Sequence, residues 1–346
     1  MQDAEAPALS ERGWGKLLLA LAAFLIIPPF TPLKALLPVE DTFLLLLPAL
    51  AACCLVGWWA GGRLALAITW VGLAAWMLAQ PAPVGAFYNL VRGWTLLLAG
   101  SFGLVCLFGT RRPFFSRALT AVSLALTLVL LMSTRGPLSP ARVQLAVQTE
   151  FARRNVDQIA TFRAQLRQYP EVVKSLPQVA SLPDELGSRL SAMAETGTQL
   201  YPSLLLLESI IALALAWGIY HRISRTRLGA PLGFLKDFRF NDQFVWGLIA
   251  GITIVLIPAL QFLDATGRNL LVFFGALYAI RGFGVLSWFM APGTLAAVLL
   301  VGFVMLWWPV LNAVAVLGFM LLALAAFGLG LGDTWADWRS RARPTT

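Results

Sequence analysis

Long stretches without a charged residue set the pattern of this chain. A helix that crosses a bilayer needs about 20 predominantly apolar residues, and most of these stretches approach or exceed that length. The sixth stretch is short, but it extends past Glu208 to about Ser203. The pattern therefore predicts seven membrane helices, over 17–33, 42–62, 64–91, 93–110, 118–134, 209–221 and 243–263.

The C-terminal part of the chain continues this pattern. Between Arg268 and Asp333 the only charged residue is Arg281, and this segment is long enough for three more helices separated by turns. The first predicted span is interrupted by Pro28 and Pro29, which disfavour a continuous helix. The ninth predicted span, the second of the three C-terminal ones, is short enough to enter and leave the membrane on the same side. We expect nine to ten spans in total.

One segment, residues 136–200, is too rich in charge to cross a membrane. Its first part has apolar residues at helical spacing, which predicts an amphipathic helix from about Ser139 to Tyr169. A second short helix is expected over 184–198, after prolines at 170, 177 and 183. The amphipathic helix could dock on a partner or the membrane surface, or belong to a hairpin that packs on its own protein. The partner-contact candidates here are Val147, Phe151 and Phe162.

Composition agrees with a membrane location. The chain is 59% hydrophobic and 12% charged, whereas a soluble domain has about 45–50% and about 25%. One water-facing core could not bury so much apolar surface. The predicted fold class is all-α, a polytopic transmembrane helix bundle with a small helical extracytoplasmic insertion.

Basic residues predict the orientation of this bundle. The net charge is +9, and Lys and Arg concentrate at alternate ends of the predicted spans, as at Arg111, Arg112 and Arg222. Short cytoplasmic loops carry such an excess, so we expect both termini in the cytoplasm. In a membrane protein this balance reflects basic cytoplasmic loops, and no nucleic-acid partner is expected.

Few residues offer recognisable chemistry. Cys53, Cys54 and Cys106 lie in apolar stretches and His221 is the single histidine, so no disulfide framework or histidine-ligated metal site is expected. Motifs for phosphate loops, dinucleotide binding, zinc proteases and serine hydrolases are absent from the sequence. We expect no catalytic residue, no metal, no cofactor and no enzymatic activity.

Ionisable side chains inside a bilayer are costly and mark candidate sites. Arg281 is about eleven residues into a helix that begins near Leu270, which predicts a position close to the midplane. Glu208 could approach it from the outer side, and Asn269 could line the same pocket. Arg281 and Glu208 could form a structural ion pair, or Arg281 could anchor an anionic ligand. The tentative ligand-binding residues are Arg281, Glu208 and Asn269.

The basic loop 221–242 joins two predicted spans on the cytoplasmic side. Phe234 lies close to Lys236 and Arg239, and this mixture predicts a short amphipathic element on the membrane surface. It could couple the protein to a cytoplasmic partner or only anchor the loop. Elsewhere, glycines at 282 and 284 and at 328, 330 and 332 predict close packing between helices.

Three segments carry a family resemblance. "PLGFLKDFRFNDQFVWGLIAG" (231–251), "NLLVFFGALYAIRGFGVLSWFM" (269–290) and "LGLGDTWADWRSR" (329–341) resemble the YybS-like family of predicted bacterial membrane proteins. The resemblance implies a bacterial inner membrane location and a distant relationship to substrate-binding S subunits of energy-coupling-factor transporters. Those subunits dock through small residues at four-residue spacing on the first helix, and "LLLALAAFLIIPPF" (17–30) lacks a clean pattern of this kind.

Two functions follow from these observations. The protein could be a solute-binding or transport-associated membrane subunit, or a structural or accessory subunit of a larger membrane complex. The expected partners are membrane lipid, other membrane proteins and a possible small-molecule ligand. The expected domains are 1–135, the insertion 136–200, and 201–346.

Overall fold

The computed structural model describes residues 14–26, 39–81, 85–109, 112–135, 139–168, 181–291, 293–306, 308 and 311–341. All regular structure in these residues is helical. The expected breaks at Pro28–Pro29, Pro170 and Pro177 lie outside the described residues. The chain divides into two compact units, Met1–Leu232 (unit 1) and Gly233–Thr346 (unit 2). The sequence pattern placed the boundaries elsewhere, at 135/136 and 200/201.

Unit 1 contains seven helices among its described residues. They are α1 (Trp14–Ile26), α2 (Val39–Trp59), α3 (Leu64–Ala79), α4 (Ala86–Phe108), α5 (Phe114–Arg135), α6 (Pro140–Gln168) and α7 (Leu182–Ile223). Helix α2 is central, because it packs against α3, α4 and α7. Its interior is apolar and includes Ala49, Leu50 and Cys53, which meet a core that continues through Phe102 and Trp217.

Unit 2 is built around two long helices. Its described helices are α8 (Val245–Leu256), α9 (Asp264–Phe289), α10 (Thr294–Leu306), α11 (Asn312–Ala336) and the short α12 (Trp338–Arg341), with 3₁₀ turns at Leu235–Asp237, Asp242–Phe244 and Pro258–Leu263. Helices α9 and α11 cross closely. A Cβ atom at Gly282 would lie 1.6 Å from the Ala326 carbonyl oxygen, and one at Gly330 would lie 1.9 Å from the Tyr278 carbonyl oxygen. The close packing between helices is confirmed at Gly282 and Gly330, whereas Gly328 faces open space.

Six helical segments among the described residues are long and apolar enough to cross a membrane. They are Asp41–Trp59, Ala86–Phe108, Phe114–Ser133, Leu182–Ile223, Pro258–Phe289 and Asn312–Ala336. Four shorter apolar helices of 10–17 residues accompany them, among them Thr294–Leu306 at the ninth predicted span. The multi-pass helical fold is therefore supported, while the number of nine to ten spans stays a prediction.

The polar insertion is part of unit 1 and packs within it. Its first helix, α6, spans Pro140–Gln168 and confirms the amphipathic helix expected over about 139–169. The expectation of a separate helix over 184–198 is wrong, because these residues begin the 42-residue helix α7. At 1.5 Å per residue α7 is about 63 Å long, twice the hydrocarbon thickness of about 30 Å. A helix of this length exceeds one bilayer crossing, and its first half packs against α6, where Asn155 donates to the Leu190 carbonyl oxygen.

Candidate functional site

Arg281 lies at the crossing of α9 and α11, with 2% of its surface exposed. Its Nε donates to the Asp333 carboxylate at 2.9 Å and its Nη2 donates to the Asp333 carbonyl oxygen at 3.1 Å. Its Nη1 donates to the Asp242 carboxylate at 2.6 Å. Two carboxylates therefore neutralise this guanidinium inside unit 2.

A second arginine shares Asp333 with Arg281. Arg339 donates from Nη2 to the Asp333 carboxylate at 2.5 Å, and from Nη1 to the carbonyl oxygens of Lys236 and Phe238 at 2.9 and 3.1 Å. These contacts fasten the segment that precedes α8 to the ends of α9 and α11. We call Asp242, Arg281, Asp333 and Arg339 the α9–α11 cluster; its formal charges sum to zero.

The helix that carries Arg281 begins earlier than expected, and the position of Arg281 near the midplane stays a prediction. Helix α9 begins at Asp264, six residues before Leu270, so Arg281 lies about 26 Å from the first residue and about 12 Å from Phe289 along the axis. Asn269 lies about 18 Å from Arg281 along the same axis and donates to the Ala265 carbonyl oxygen. The structure therefore does not bring Arg281 and Asn269 into one small pocket.

Glu208 has a different hydrogen-bond partner from the one expected. It lies in α7, with 6% of its surface exposed, and its Oε1 accepts a hydrogen bond from the Thr42 hydroxyl at 3.0 Å. Thr42 belongs to the first turns of α2. Among the residues that the structure describes, no basic side chain forms an ion pair with Glu208. The expected pair of Glu208 with Arg281 is therefore wrong. Glu208 contacts Thr42, and Arg281 contacts Asp242 and Asp333.

Three further charged side chains are buried near Thr42. Asp41 precedes it and pairs with Arg154 of α6 at 3.2 Å. Arg154 also donates from Nε to Glu150 at 2.8 Å, and its guanidinium lies 5.0 Å from the centre of the Phe87 ring. We call Asp41, Thr42, Glu150, Arg154 and Glu208 the α2–α7 cluster. Its charged members are three carboxylates and one arginine, each less than one tenth exposed.

Arg153 supplies a second positive charge at the edge of this cluster. It contacts Glu150 through Nη2 at 2.6 Å and through Nε at 3.0 Å, and its side chain is about half exposed. Burial raises the pKa of Glu150, but the hydrogen bonds and charges of Arg153 and Arg154 outweigh this effect. The net result is a pKa below the ordinary value.

The partner-contact candidates occupy different environments. Val147 and Phe151 are buried inside unit 1, where Phe151 packs against Phe87 and Tyr201. Their side chains are covered by the protein itself, so this face of α6 forms part of a packed hairpin. Phe162 is half-buried. The remaining candidates, Phe234, Lys236 and Arg239, are exposed on unit 2.

Sequence reasoning missed most of the charged partners. Asp333 and Asp41 were only the limits of apolar stretches, and Asp242 was part of a polar loop. The spacing of Glu150 and Arg154, four residues apart on a predicted helix, was a usable signal for a local pair. Among the described residues, no group of three or more His, Cys, Asp or Glu side chains is arranged to hold a metal ion.

Comparison with known proteins identifies a family. Residues 64–320 match a family described as predicted membrane proteins (DUF2232). No curated protein and no solved structure matches the chain. The family description agrees with the apolar helices and implies contact with membrane lipid. Because the match covers more than half of the sequence, the chain belongs to the DUF2232 family of predicted membrane proteins.

Proposed function

We propose that this protein is a non-enzymatic, solute-binding and transport-associated subunit of the bacterial inner membrane, with both termini in the cytoplasm. The resemblance to S subunits of energy-coupling-factor transporters motivates the class of function. The observation that carries the proposal is the buried carboxylate of Glu208, which accepts a hydrogen bond from a threonine hydroxyl and forms no ion pair with a basic side chain among the described residues.

The two candidate charges differ in how they are compensated. Arg281 has two carboxylate partners, so an anionic ligand would have to displace Asp333 or Asp242. Glu208 is hydrogen-bonded to an uncharged hydroxyl and has no direct ion-pair partner among the described residues, and a buried carboxylate without such a partner is costly. Residues that keep such a cost inside a membrane are commonly functional. The proposed ligand contact is therefore Glu208 together with Thr42.

The composition of the α2–α7 cluster favours a particular ligand chemistry. Its three carboxylates exceed its one buried arginine, and Arg153 only adds a half-exposed charge. A solute that carries an ammonium group or several hydrogen-bond donors would complement this excess. An anionic solute, the class expected from Arg281, would add a like charge beside Asp41 and Glu208.

A stability screen tests this proposal. Thermal denaturation of the detergent-solubilised protein would be followed with pairs of small solutes that share a carbon skeleton and end in an amine or in a carboxylate. Amines are expected to stabilise the parent and to have no effect on Glu208→Gln. The matched control is Glu195→Gln, an exposed carboxylate on the same helix. Equal stabilisation of parent and Glu208→Gln, or stabilisation by carboxylates alone, would refute the proposal.

A second function has support from a different observation. The charge-neutral α9–α11 cluster holds Phe234 in a segment where it is 45% exposed, close to exposed Lys236 and Arg239. An accessory subunit of a membrane complex could use such a surface to contact another membrane protein. Stoichiometric co-purification of a membrane protein with the parent, and its loss from a Phe234→Ala variant, would favour this function over solute binding.

A further inference from the structure

One end of unit 1 is formed by three turns. The turn 59–63 follows α2, the turn 109–113 joins α4 to α5, and the loop 224–230 follows α7. We call these turns the basic end of unit 1. Thr110 and Arg111 lie outside the described residues, and the statements below concern the other residues of these turns.

The backbone of the loop 224–230 is held by side chains of α5 and α7. Buried side chains contact four of its carbonyl oxygens, and three of these contacts have unambiguous donors. The donors are Tyr220 Oη to Thr226 at 2.8 Å, Arg117 Nη1 to Leu228 at 2.7 Å, and Trp217 Nε1 to Ala230 at 3.1 Å. The fourth contact is made by His221, whose Nε2 lies 3.1 Å from the Gly229 carbonyl oxygen. This loop is therefore fixed against the bundle.

The other two turns are joined to this loop. Arg117 also donates from Nε to the Arg112 carbonyl oxygen at 2.9 Å, which links the turn 109–113 to the loop 224–230. The turn 59–63 approaches the same loop, because a Cβ atom at Gly62 would lie 3.1 Å from the Thr226 hydroxyl oxygen. The three turns consequently form one continuous surface.

This surface is positively charged. Segments 59–63, 109–117 and 221–232 contain no Asp or Glu. The exposed basic residues that they present are Arg63, Arg112, Arg225 and Arg227.

Exposed aromatic rings lie next to these charges along the chain. Trp59 is 78% exposed and precedes Arg63 by four residues, and Phe108 is 87% exposed and precedes Arg112 by four residues. Both rings are in the last turn of a helix that is long and apolar enough to cross a membrane. Aromatic rings at such ends favour the interface between headgroups and acyl chains.

We propose that the basic end of unit 1 is a docking surface for anionic phospholipids. The arginines contact the phosphate and headgroup, while Trp59 and Phe108 contact the glycerol and upper acyl-chain region. Charge complementarity supports a lipid as the occupant, because clustered basic residues are attracted to anionic leaflets. The hydrogen-bonded turns hold the arginines in place before binding, which reduces the entropy lost on association. This site is separate from the α2–α7 cluster and does not depend on the proposed function.

Native mass spectrometry tests the proposal directly. The detergent-purified protein would be titrated with phosphatidylglycerol and, in parallel, with phosphatidylcholine of the same acyl chains. We expect tighter binding of phosphatidylglycerol and an affinity about 100-fold weaker for the triple variant Arg63→Gln, Arg225→Gln, Arg227→Gln. This estimate follows from about fivefold per basic residue near an anionic surface. The single variant Arg225→Gln should lose about fivefold, which keeps the test valid if the triple variant misfolds.

A control variant removes the same charge elsewhere. Arg163→Gln, Arg167→Gln, Arg189→Gln neutralises three exposed arginines of the polar insertion and should retain the parent affinity. Equal loss in this control, or unchanged affinity in the variants of the basic end, would overturn the proposal. If soluble polyglutamate bound the parent as tightly as phosphatidylglycerol does, that result would also overturn the proposal, in favour of an acidic protein partner.

Discussion

Replacing Asp333 by Asn removes the shared carboxylate of the α9–α11 cluster without changing its shape. The parent carboxylate accepts hydrogen bonds from Arg281 Nε and Arg339 Nη2, and all three side chains are buried. The variant keeps the carbonyl oxygen that accepts from Arg281 Nη2. It leaves two guanidinium groups with one carboxylate, Asp242, whose side chain is 59% exposed.

Breaking a buried ion pair by removing one partner costs about 3–5 kcal/mol. The free energy of unfolding of Asp333→Asn should therefore fall by about that amount, more than 100-fold in the folding equilibrium. The assay is reversible unfolding in mixed micelles with increasing dodecyl sulfate, followed by circular dichroism. The control is Asp264→Asn, which breaks a more exposed pair with Arg268 and should cost about 0–1 kcal/mol.

The double substitution Asp333→Leu, Arg281→Met distinguishes a structural ion pair from independent charges. Removing both partners should cost less than the sum of the single substitutions Asp333→Leu and Arg281→Met, because the double variant no longer leaves Arg281 buried without Asp333, while Arg339 loses its carboxylate equally in Asp333→Leu and in the double variant. A loss below 1 kcal/mol for Asp333→Asn, or strictly additive single and double variants, would refute the reasoning.

Three other results are expected. Gly330→Ala should lower the melting temperature, because its Cβ would lie 1.9 Å from a carbonyl oxygen at the crossing of α9 and α11. Gly328→Ala should have little effect, because a Cβ there meets open space. Equal melting temperatures of the two variants would contradict this. Because the pKa of Glu150 is lowered in the folded protein, its carboxylate stabilises the fold above its unfolded pKa, and this stabilisation is lost as the pH falls through its folded pKa. In Glu150→Gln the free energy of unfolding should therefore depend less on pH in that acidic range. A pH profile identical to that of the parent would argue against this. Glu208→Gln should leave thermal stability unchanged or raised without ligand, since it removes a buried carboxylate that makes no direct ion pair among the described residues; a large loss would indicate a structural role.

The helices were predictable because a bilayer requires long apolar segments, and the charge-free stretches mark them in the sequence. The amphipathic helix α6 was predictable for the same kind of reason, since its apolar residues repeat at helical spacing. The single long helix α7 was not predictable, because its polar start and the apolar span that follows differ in composition but belong to one helix.

The charged partners were much harder to predict. Glu150 and Arg154 are four residues apart, so helix geometry alone brings them together. Arg281 and Asp333 are 52 residues apart, Asp41 and Arg154 are 113 apart, and Thr42 and Glu208 are 166 apart. Such pairs depend on which helices become neighbours. Hydropathy determines that a helix crosses the membrane but does not determine which neighbour it packs against.

The most direct test of solute binding at Glu208 is gentle purification of the tagged protein from its native membrane, followed by mass spectrometry of the small molecules that co-elute. The parent and the Glu195→Gln control would be compared with Glu208→Gln at equal amounts of folded protein. The account predicts a cationic or donor-rich small molecule that the parent and the control retain and Glu208→Gln loses. Retention of the same molecule by all three proteins, or a stoichiometric protein partner with no small molecule, would contradict it.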